Sequence, residues 1–262
     1  MKNFKDKVII VTGGASGIGL GLAHRFAREG ARVVVSDLNA DAAKATAAEI
    51  GAVAMATDVG IEADVKQLVD KTLEQFGRID LFVSNAGIAF DGGVDTPAEK
   101  WEKIYHINVL AHVYAAKYAL PSMLARGEGY FLNTTSAAGL IVEFTALPYT
   151  VSKHAAFGFA EWLAATYRNR GIRVSVLAPA GVRTPMAADH PDLMAHAIGV
   201  DEVVEKTVAG LAGEHFLIST HDFVDKLFHL KTQNYDEYIG ALAQRREEVE
   251  KLIKTASAAS SI

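Results

Sequence analysis

A tyrosine and a lysine stand about one helical turn apart, and together they could transfer a proton. Tyr149 and Lys153 lie in an Ala-rich run of helical period, so their side chains share one face of a helix. A phenol with its ordinary pKa of about 10 is a poor base at neutral pH, but a neighbouring ammonium favours its ionised form. We therefore predict that Lys153 lowers the pKa of Tyr149, which then acts as general acid or base. The alternative is an amphipathic helix residue with its hydroxyl in water.

A glycine-rich turn early in the chain has the composition of a phosphate-binding site. The apolar run Val8–Thr12 leads directly into Gly13-Gly-Ala-Ser-Gly17-Ile-Gly19, and a helical pattern follows. Glycines allow a sharp turn and close approach to a pyrophosphate, while a helix N-terminus supplies free N–H groups. The spacing is T-G-x3-G-x-G, because the commoner G-x-G-x-x-G pattern would need glycine where His24 stands. A purely structural strand-to-helix turn is the alternative.

An acidic residue follows the second predicted strand, about 20 residues after this turn. There Asp37 can accept hydrogen bonds from both hydroxyls of an adenosine ribose, although it could equally cap a helix, since Asn39 and Asp41 are near. Its carboxylate would repel a 2′-phosphate, and neither Gly13–Gly19 nor Leu38–Asn39 contains a Lys or Arg to attract one. The sequence therefore predicts NAD rather than NADP.

Short apolar runs alternate with longer runs of helical period along nearly the whole chain. Seven runs are apolar on both faces, as parallel strands covered by helices on both sides must be: Val8–Thr12, Arg32–Ser36, Val53–Thr57, Leu81–Ser84, Tyr130–Thr134, Arg173–Ala178 and Phe216–Ile218. The predicted helices are Gly17–Glu29, Ala40–Ile50, Glu62–Phe76, Pro97–Arg126, Tyr149–Asn169 and Asp201–Ala212. This alternation predicts a single α/β domain over residues 1–262, with a doubly wound, Rossmann-like, parallel seven-stranded sheet.

Two segments interrupt the alternation. A long connection follows the sixth strand, and we interpret its residues 185–199 as a substrate lid, because long ordered loops at this edge usually serve binding. Residues 222–254 are predicted to form a helical C-terminal extension.

Taken together, these residues resemble the short-chain dehydrogenase/reductase family. The turn Thr12–Gly19 is followed, in family order over about residues 5–219, by Asp58-Val59, Ser84-Asn85-Ala86-Gly87, Asn108, Asn133-Thr-Thr-Ser136-Ala-Ala-Gly139, Tyr149-x3-Lys153 and Pro179-Ala-Gly-Val182-Arg-Thr184. The chain departs from the family at Ser84, where Asn is common, and after Ile218, where a strand leading into Asp-Gly-Gly is usual. The resemblance implies an NAD-dependent oxidoreductase that transfers hydride between a secondary alcohol or ketone and nicotinamide.

The resemblance also implies a role for each matched residue. Tyr149 would exchange the substrate hydroxyl proton, and the positive nicotinamide ring would favour its phenolate together with Lys153. Ser136 would polarise and position the substrate oxygen. Lys153 would also hold the nicotinamide ribose, and Asn108 would hold a water that links Lys153 to solvent, unless it is simply a satisfied buried amide. The predicted cofactor contacts are Gly13, Ser16, Gly17, Ile18, Gly19, Asp37, Leu38, Asp58, Val59, Asn85, Ala86, Gly87, Tyr149, Lys153, Pro179, Val182 and Thr184.

The substrate is predicted from the apolar residues that follow Ser136 and from the lid. The side chains expected to line its site are Leu140, Val142, Phe144, Met186 and Met194. Apart from Arg183, no arginine stands among them to bind a carboxylate or phosphate, so we expect an apolar aryl, cyclic or steroid-like small molecule. Two alternatives stay open: an NADH-dependent ketone reductase as the physiological direction, and a non-catalytic protein that binds or senses NAD.

Composition excludes several other classes of protein. The net charge of −5 offers no general reason to bind nucleic acid, and no apolar run is long enough for a membrane span. The chain has no Cys, and its nine His lack any paired metal-binding spacing, so no catalytic metal is predicted. Because the first strand begins at Val8, no secretory signal is expected, and a cytoplasmic location follows.

The resemblance finally implies a homodimer or homotetramer in which two long helices pack against a two-fold mate. Those helices, Pro97–Arg126 and Tyr149–Asn169, carry more apolar groups than one core-facing stripe requires: Val113, Tyr114, Tyr118, Phe157, Trp162 and Tyr167.

Overall fold

A computed structural model describes residues 1–188, 194 and 196–259, with side chains as far as residue 248. Its strands are β1 (Val8–Thr12), β2 (Arg32–Asp37), β3 (Val53–Ala56), β4 (Leu81–Ser84), β5 (Gly129–Thr134), β6 (Ile172–Ala178) and β7 (Leu217–Ser219). They form one sheet in the order β3-β2-β1-β4-β5-β6-β7, and every pairing is parallel. The predicted doubly wound α/β sheet is confirmed, and the predicted strand ends differ by one residue at most.

Helices cover both faces of the sheet, which is why its strands are apolar on both sides. The helices are α1 (Gly17–Arg28), α2 (Ala40–Ile50), α3 (Glu62–Phe76), α4 (Ala98–Tyr105), α5 (Ala111–Arg126), α6 (Leu147–Tyr167), α7 (Val200–Ala212), α8 (Asp222–Gln233) and α9 (Tyr235–Ala259). On one face, Leu22 and Phe26 of α1 pack with Ile9 of β1. On the other face, Ala160 and Leu163 of α6 pack with strand residues such as Phe131 and Val176. The apolar side chains on both faces of the sheet therefore stabilise a three-layer sandwich.

The helix predicted over Pro97–Arg126 is interrupted. Pro97 is the N-cap of α4, and a five-residue π-helical segment, His106–Leu110, separates α4 from α5. A π-helical turn inserts an extra residue into the helix and often marks a functional position. Asn108 lies in the middle of this segment and is fully buried. The wider π-helical turn thus sets the direction in which the Asn108 side chain points toward the residues that it contacts.

The C-terminal extension is helical, as predicted, and consists of two helices. Helix α8 ends at Gln233, and the backbone of the next residue, Asn234, is extended. The Asn234 side chain accepts a hydrogen bond from the Glu237 N–H at the start of α9. Val224, Tyr238 and Leu242 are buried in the same core cluster as Leu140 and Ile141. The extension is therefore packed against the segment that follows β5.

Candidate active site

A cavity of about 510 Å³ opens at the carboxyl ends of the central strands. It lies where the strand order reverses between β1 and β4, which is the usual ligand position in a doubly wound sheet. The predicted residues that line it are Gly13, Ser16, Gly17, Ile18, Asp37, Leu38, Asp58, Val59, Asn85, Ala86, Gly87, Ser136, Tyr149, Lys153, Pro179, Val182 and Thr184. Gly19 and Asn108 lie behind this lining. A volume of this size can hold most of a cofactor together with a small substrate.

The glycine-rich turn leaves backbone exposed at one end of the cavity. Gly13 and Gly17 have left-handed backbone conformations, with φ of 62° and 51°. A side chain on Gly19 would overlap the carbonyl oxygen of Gly13, so no larger residue fits this turn. Ser16 is the N-cap of α1 but makes no side-chain capping bond, so the N–H groups of the first turn are left for an anion.

Thr12 and Asn85 hold the ends of β1 and β4 together beneath this turn. The Thr12 hydroxyl accepts the N–H groups of Asn85 and Ala86, at 2.9 and 3.2 Å. The Asn85 amide donates to the Thr12 carbonyl at 3.0 Å and accepts the Thr134 hydroxyl at 3.2 Å. Three adjacent strands therefore meet in one hydrogen-bonded layer, which keeps the floor of the cavity rigid.

Asp37 lies at the end of β2 and contacts the glycine-rich turn. Its carboxylate accepts the Ala15 N–H at 3.1 Å and the Asn39 N–H at 3.0 Å. The N-cap of α2 is Asn39, which accepts the N–H groups of Asp41 and Ala42. Asp37 is therefore not the helix cap that the sequence left as an alternative, and its carboxylate faces the cavity with lone pairs to spare.

Tyr149 and Ser136 line the other end of the cavity. Burial raises the pKa of Tyr149, and the nearby Glu143 carboxylate acts in the same direction, whereas a hydrogen bond with Ser136 lowers it. The prediction that Lys153 would lower this pKa is not met in the chain by itself. Removal of the phenol from water outweighs its other interactions, because a buried anion is costly.

Lys153 is buried behind Tyr149, and its Nζ lies 5.5 Å from the centre of the tyrosine ring. The ammonium donates to the Thr134 carbonyl oxygen at 3.2 Å. No carboxylate among the described residues forms a salt bridge with it, and burial lowers its pKa to about 8. The close spacing of Tyr149 and Lys153 is as predicted, and Lys153 is poised to lose or gain a proton near neutral pH.

Asn108 connects the π-helical segment to this group. Its Oδ1 accepts the Ile88 N–H, and its Nδ2 donates to the Ile88 carbonyl and to the Ser152 hydroxyl, at 2.9, 2.9 and 3.1 Å. A methyl group on Gly87 would lie 3.2 Å from Asn108 Oδ1 and 3.4 Å from Lys153 Nζ. Glycine at position 87 therefore keeps open a small space that both polar groups border.

His112, which the sequence patterns left without a role, lies behind the same strands. Its Nδ1 is 3.1 Å from Asn133 Oδ1, while Nε2 has no hydrogen-bond partner among the described residues. Burial lowers the pKa of His112 to about 3, and the charge of Lys153 acts in the same direction. This imidazole is therefore neutral at any working pH, so it adds no ionisation to the site.

The comparisons with known proteins bear on this geometry. A family model described as "short chain dehydrogenase" matches residues 7–193. The chain belongs to the short-chain dehydrogenase/reductase family. A "Short chain aldehyde dehydrogenase 1" from Euphorbia lathyris is 36% identical over 80% of this chain and 74% of that protein. A "2,5-dichloro-2,5-cyclohexadiene-1,4-diol dehydrogenase" from Sphingobium indicum is 39% identical over 71% of this chain and 76% of that protein.

The fold of this short-chain dehydrogenase/reductase agrees with solved structures. A family member from Burkholderia phymatum in complex with NAD superposes with a TM-score of 0.84 and 28% identity, covering 90% of this chain and 96% of that one. Family membership makes the protein an oxidoreductase. Among the described residues, no cluster of His, Asp and Glu could hold a metal ion. No helix in the described ranges combines the length and apolar character that crossing a bilayer requires.

The substrate side of this short-chain dehydrogenase/reductase differs in part from the sequence prediction. Of the five predicted lining residues, Val142 and Met186 line the cavity. Leu140 and Phe144 pack into the core, because the 3₁₀ turn Ala137–Gly139 sets the phase of the chain after β5. Met194 is exposed and is not part of the lining. The remaining lid residues 189–193 and 195 lie outside the described residues.

Two acidic and two aromatic side chains that the motifs did not single out also line the cavity. Asp91 and Glu143 are acidic, and Phe90 and Phe223 are aromatic. Lys153 is the only cationic residue in the described lining, and Arg183 does not reach the cavity. The fold brings Phe223 of α8 beside loop residues that are distant in sequence, so no local sequence signal could have found it.

Proposed function

We propose that the protein is an NAD-dependent dehydrogenase that interconverts a neutral secondary alcohol and its ketone. The observation that supports this most strongly is one continuous cavity. It joins Asp37 and the glycine-rich turn at one end to Ser136, Tyr149 and Lys153 at the other. A nucleotide-binding end and a proton-transferring end in one cavity are what hydride transfer from an alcohol requires.

The residues at the first end fit a nicotinamide dinucleotide. The free N–H groups of α1 and the bare backbone of Gly13–Gly19 suit a pyrophosphate, which a side chain at Gly19 would exclude. Asp37 would accept the ribose hydroxyls, Asp58-Val59 would flank the adenine, and Asn85–Gly87 would support the second ribose. When bound, this cofactor supplies a carbon that accepts or returns the hydride.

Tyr149 would move the proton that accompanies the hydride. During alcohol oxidation its phenolate would accept the hydroxyl proton, and during ketone reduction its phenol would donate that proton. Ser136 would hold the substrate oxygen beside it, and its hydroxyl already favours ionisation of Tyr149. Lys153, bordered by Asn108 and the open space at Gly87, would stabilise the phenolate and pass the proton onward.

The charges of the cavity support NAD and a neutral substrate. Asp37 carries a negative charge where a 2′-phosphate would lie, and no Lys or Arg in the described lining stands beside it. On the substrate side, Asp91 and Glu143 would repel a carboxylate or phosphate. The relative from Sphingobium indicum is named for a cyclic diol, and the Burkholderia phymatum structure contains NAD, in agreement with this choice.

A direct assay tests the proposal. The purified protein is incubated with NAD and with 2-propanol, cyclohexanol or 1-phenylethanol, and NADH formation is followed by its absorbance. We expect oxidation of at least one alcohol, and loss of that oxidation in Ser136→Ala. If neither these alcohols nor the matching ketones with NADH react, the proposed function is wrong.

Cofactor choice is tested separately with Asp37→Ala. We expect the wild type to prefer NAD over NADP by at least about 100-fold in kcat/KM, because a like charge beside the 2′-phosphate costs several kcal/mol. Asp37→Ala should reduce that preference strongly. Asp41→Ala removes a fully exposed carboxylate of the same region and should leave the preference unchanged. Equal kcat/KM values for the two cofactors in the wild type would contradict the role of Asp37.

The lid at residues 185–199 and a cytoplasmic location remain proposals from the sequence. In support of the lid, Met186 lines the cavity, and a bridge between Val182 and Ile198 closes the base of the connection.

A further inference from the structure

The C-terminal extension contributes a side chain to the cavity that holds Ser136 and Tyr149. Phe223, the second residue of α8, is part of the lining. The next residue, Val224, is fully buried in the core and fixes the start of the helix. The Phe223 ring lies 5.6 Å from the ring of His221, the N-cap of α8, and 6.4 Å from the ring of His196, near the end of the lid connection. Phe223 is therefore held in place, although 43% of its surface is exposed.

The same extension holds a second part of the cavity wall. The Lys231 ammonium on α8 donates to the Leu140 carbonyl oxygen at 2.7 Å. The Tyr238 ring on α9 is buried in the same core cluster as Leu140 and Ile141. Ile141 and Val142, which lie within this short segment, both line the cavity. The Lys231 hydrogen bond and the buried core around Tyr238 thus fix this apolar wall from behind.

Lys231 also connects the extension to the helix that carries Tyr149. Its ammonium is 3.3 Å from His154 Nε2, while His154 Nδ1 lies 2.9 Å from the Thr150 carbonyl oxygen. An imidazole that donates from Nδ1 can accept the lysine N–H at Nε2. The ammonium is half-buried, and these partners offset part of the cost of removing it from water.

We propose that Phe223 is a specificity-determining residue, and that Lys231 positions the Ile141–Val142 wall for the same purpose. The inference rests on the proposed function, because it concerns the substrate of that site. Phe223, Ile141 and Val142 would contact the apolar body of a neutral cyclic alcohol whose hydroxyl meets Ser136 and Tyr149. An aromatic ring gains most from a flat or ring-shaped partner, whose contact area is larger than that of a short chain.

A comparison of substrates tests the role of Phe223. Phe223→Ala is assayed against the wild type with cyclohexanol, 1-phenylethanol and 2-propanol. We expect kcat/KM for the two cyclic alcohols to fall by about tenfold or more, through KM rather than kcat, because apolar contacts act on binding. For 2-propanol the change should stay within about twofold. The dissociation constant for NADH, measured by fluorescence, should be unchanged.

The matched control is Ile239→Ala, which removes an exposed apolar side chain from α9, outside the lining. It should leave kcat/KM for all three alcohols unchanged. If Phe223→Ala changes all three alcohols by one common factor, or changes none, the specificity role is wrong. Inactivity of the wild type with every alcohol and ketone would instead contradict the proposed function itself.

Lys231→Met tests the positioning role, because it retains the apolar stem and removes the ammonium. The Ile141 N–H donates to the Ala137 carbonyl at 2.8 Å, so hydrogen exchange reports the order of this wall. We expect faster exchange at residues 140–142 and a higher KM for cyclohexanol, with both partly restored in Lys231→Arg. Unchanged exchange together with an unchanged KM would overturn this part of the proposal.

Discussion

Tyr149 has a raised pKa in the chain itself, and this determines how the activity should respond to pH. Burial and Glu143 oppose ionisation, and only Ser136 favours it. A cationic ring bound beside the phenol would lower its pKa, so the ionised fraction during oxidation depends on the bound cofactor. We expect log(kcat/KM) for oxidation to rise with pH by about one unit per pH unit until Tyr149 is ionised, and reduction to show no such rise.

Removal of the Tyr149 hydroxyl isolates its contribution. Tyr149→Phe keeps the ring and should lower kcat by about 10²- to 10⁴-fold, since that is the usual size of general acid–base catalysis. NADH binding should change by less than about twofold, because the ring is kept and only one hydroxyl is removed from the many predicted cofactor contacts. Steady-state kinetics and fluorescence titration measure the two effects. A variant that retains more than a tenth of the wild-type kcat would rule out the proton-transfer role.

Lys153 makes the stability of the cofactor-free chain depend on pH. Its pKa is lowered from 10.5 to about 8, so between these values the unfolded chain binds a proton that the folded chain has lost. Stability therefore rises with pH in this window. Relative to Lys153→Met, the wild type should gain about 2 kcal/mol in the free energy of unfolding between pH 7.5 and 9.5.

Urea unfolding at the two pH values, at equal protein concentration, measures this gain. The methionine variant removes the titrating group and is its own control for other ionisations. If the free energies of unfolding of the wild type and Lys153→Met differ by the same amount at both pH values, burial does not lower the pKa of Lys153.

Several residues of the site could be predicted because their motifs are local. The T-G-x3-G-x-G turn and the Tyr149–Lys153 spacing each act within one or two helical turns, so sequence distance translates directly into spatial distance. The sign of the Tyr149 pKa shift could not be predicted in the same way. It depends on how much water the surrounding loops remove, and that is a property of the assembled cavity.

At the scale of elements, the strands were predictable and the interruptions were not. A strand buried on both faces has a short, mainly apolar sequence, as β1 and β4 do, whatever the rest of the chain does. The π-helical segment around Asn108 has no such local signal, because the extra residue is accommodated by tertiary contacts to Ile88 and Ser152. The break between α8 and α9 at Asn234 could not be predicted either, because it depends on both helices packing on one core.

The glycine-rich turn gives a prediction for the element that begins at α1. Gly19→Ala places a methyl group onto the Gly13 carbonyl, so the turn must shift and its N–H groups lose their direction. We expect NADH affinity to fall by at least about tenfold, since overpacking a close contact distorts the backbone. Fluorescence titration with NADH measures this loss.

Gly240→Ala is the matched control, because a methyl group there meets no other atom and the residue is helical. It should leave NADH binding unchanged and raise the melting temperature slightly, since Ala is the better helix former. Normal NADH affinity in Gly19→Ala would show that close packing of this turn is not needed for the cofactor.

At the scale of the whole molecule, most of the apolar groups predicted for a subunit interface are already engaged within the chain. The Tyr118 hydroxyl donates to Glu62 at 2.7 Å, and Phe157 packs against Phe216 with ring centres 5.8 Å apart. Of the six predicted residues, Trp162 is the large apolar side chain that stays mainly exposed, at 59%. We therefore predict that subunits contact each other through the outer face of α6.

That outer face forms a continuous stripe suited to a second copy of the chain. Val151, Ala155, Gly158 and Trp162 are spaced at 4, 3 and 4 residues, which brings them onto one side of the helix. Val151 is 43% exposed, and Gly158 leaves open space where another helix can approach closely. We predict that two copies pack α6 against α6 along this stripe, giving a homodimer or a homotetramer built from such dimers.

Light scattering at micromolar concentration should give two or four times the chain mass of 28.0 kDa. Gly158→Arg should halve that mass, because a charged side chain would be buried at the centre of the contact, whereas Ile239→Arg on α9 should leave it unchanged. A mass of one chain for the wild type, or an unchanged mass for Gly158→Arg, would contradict this interface.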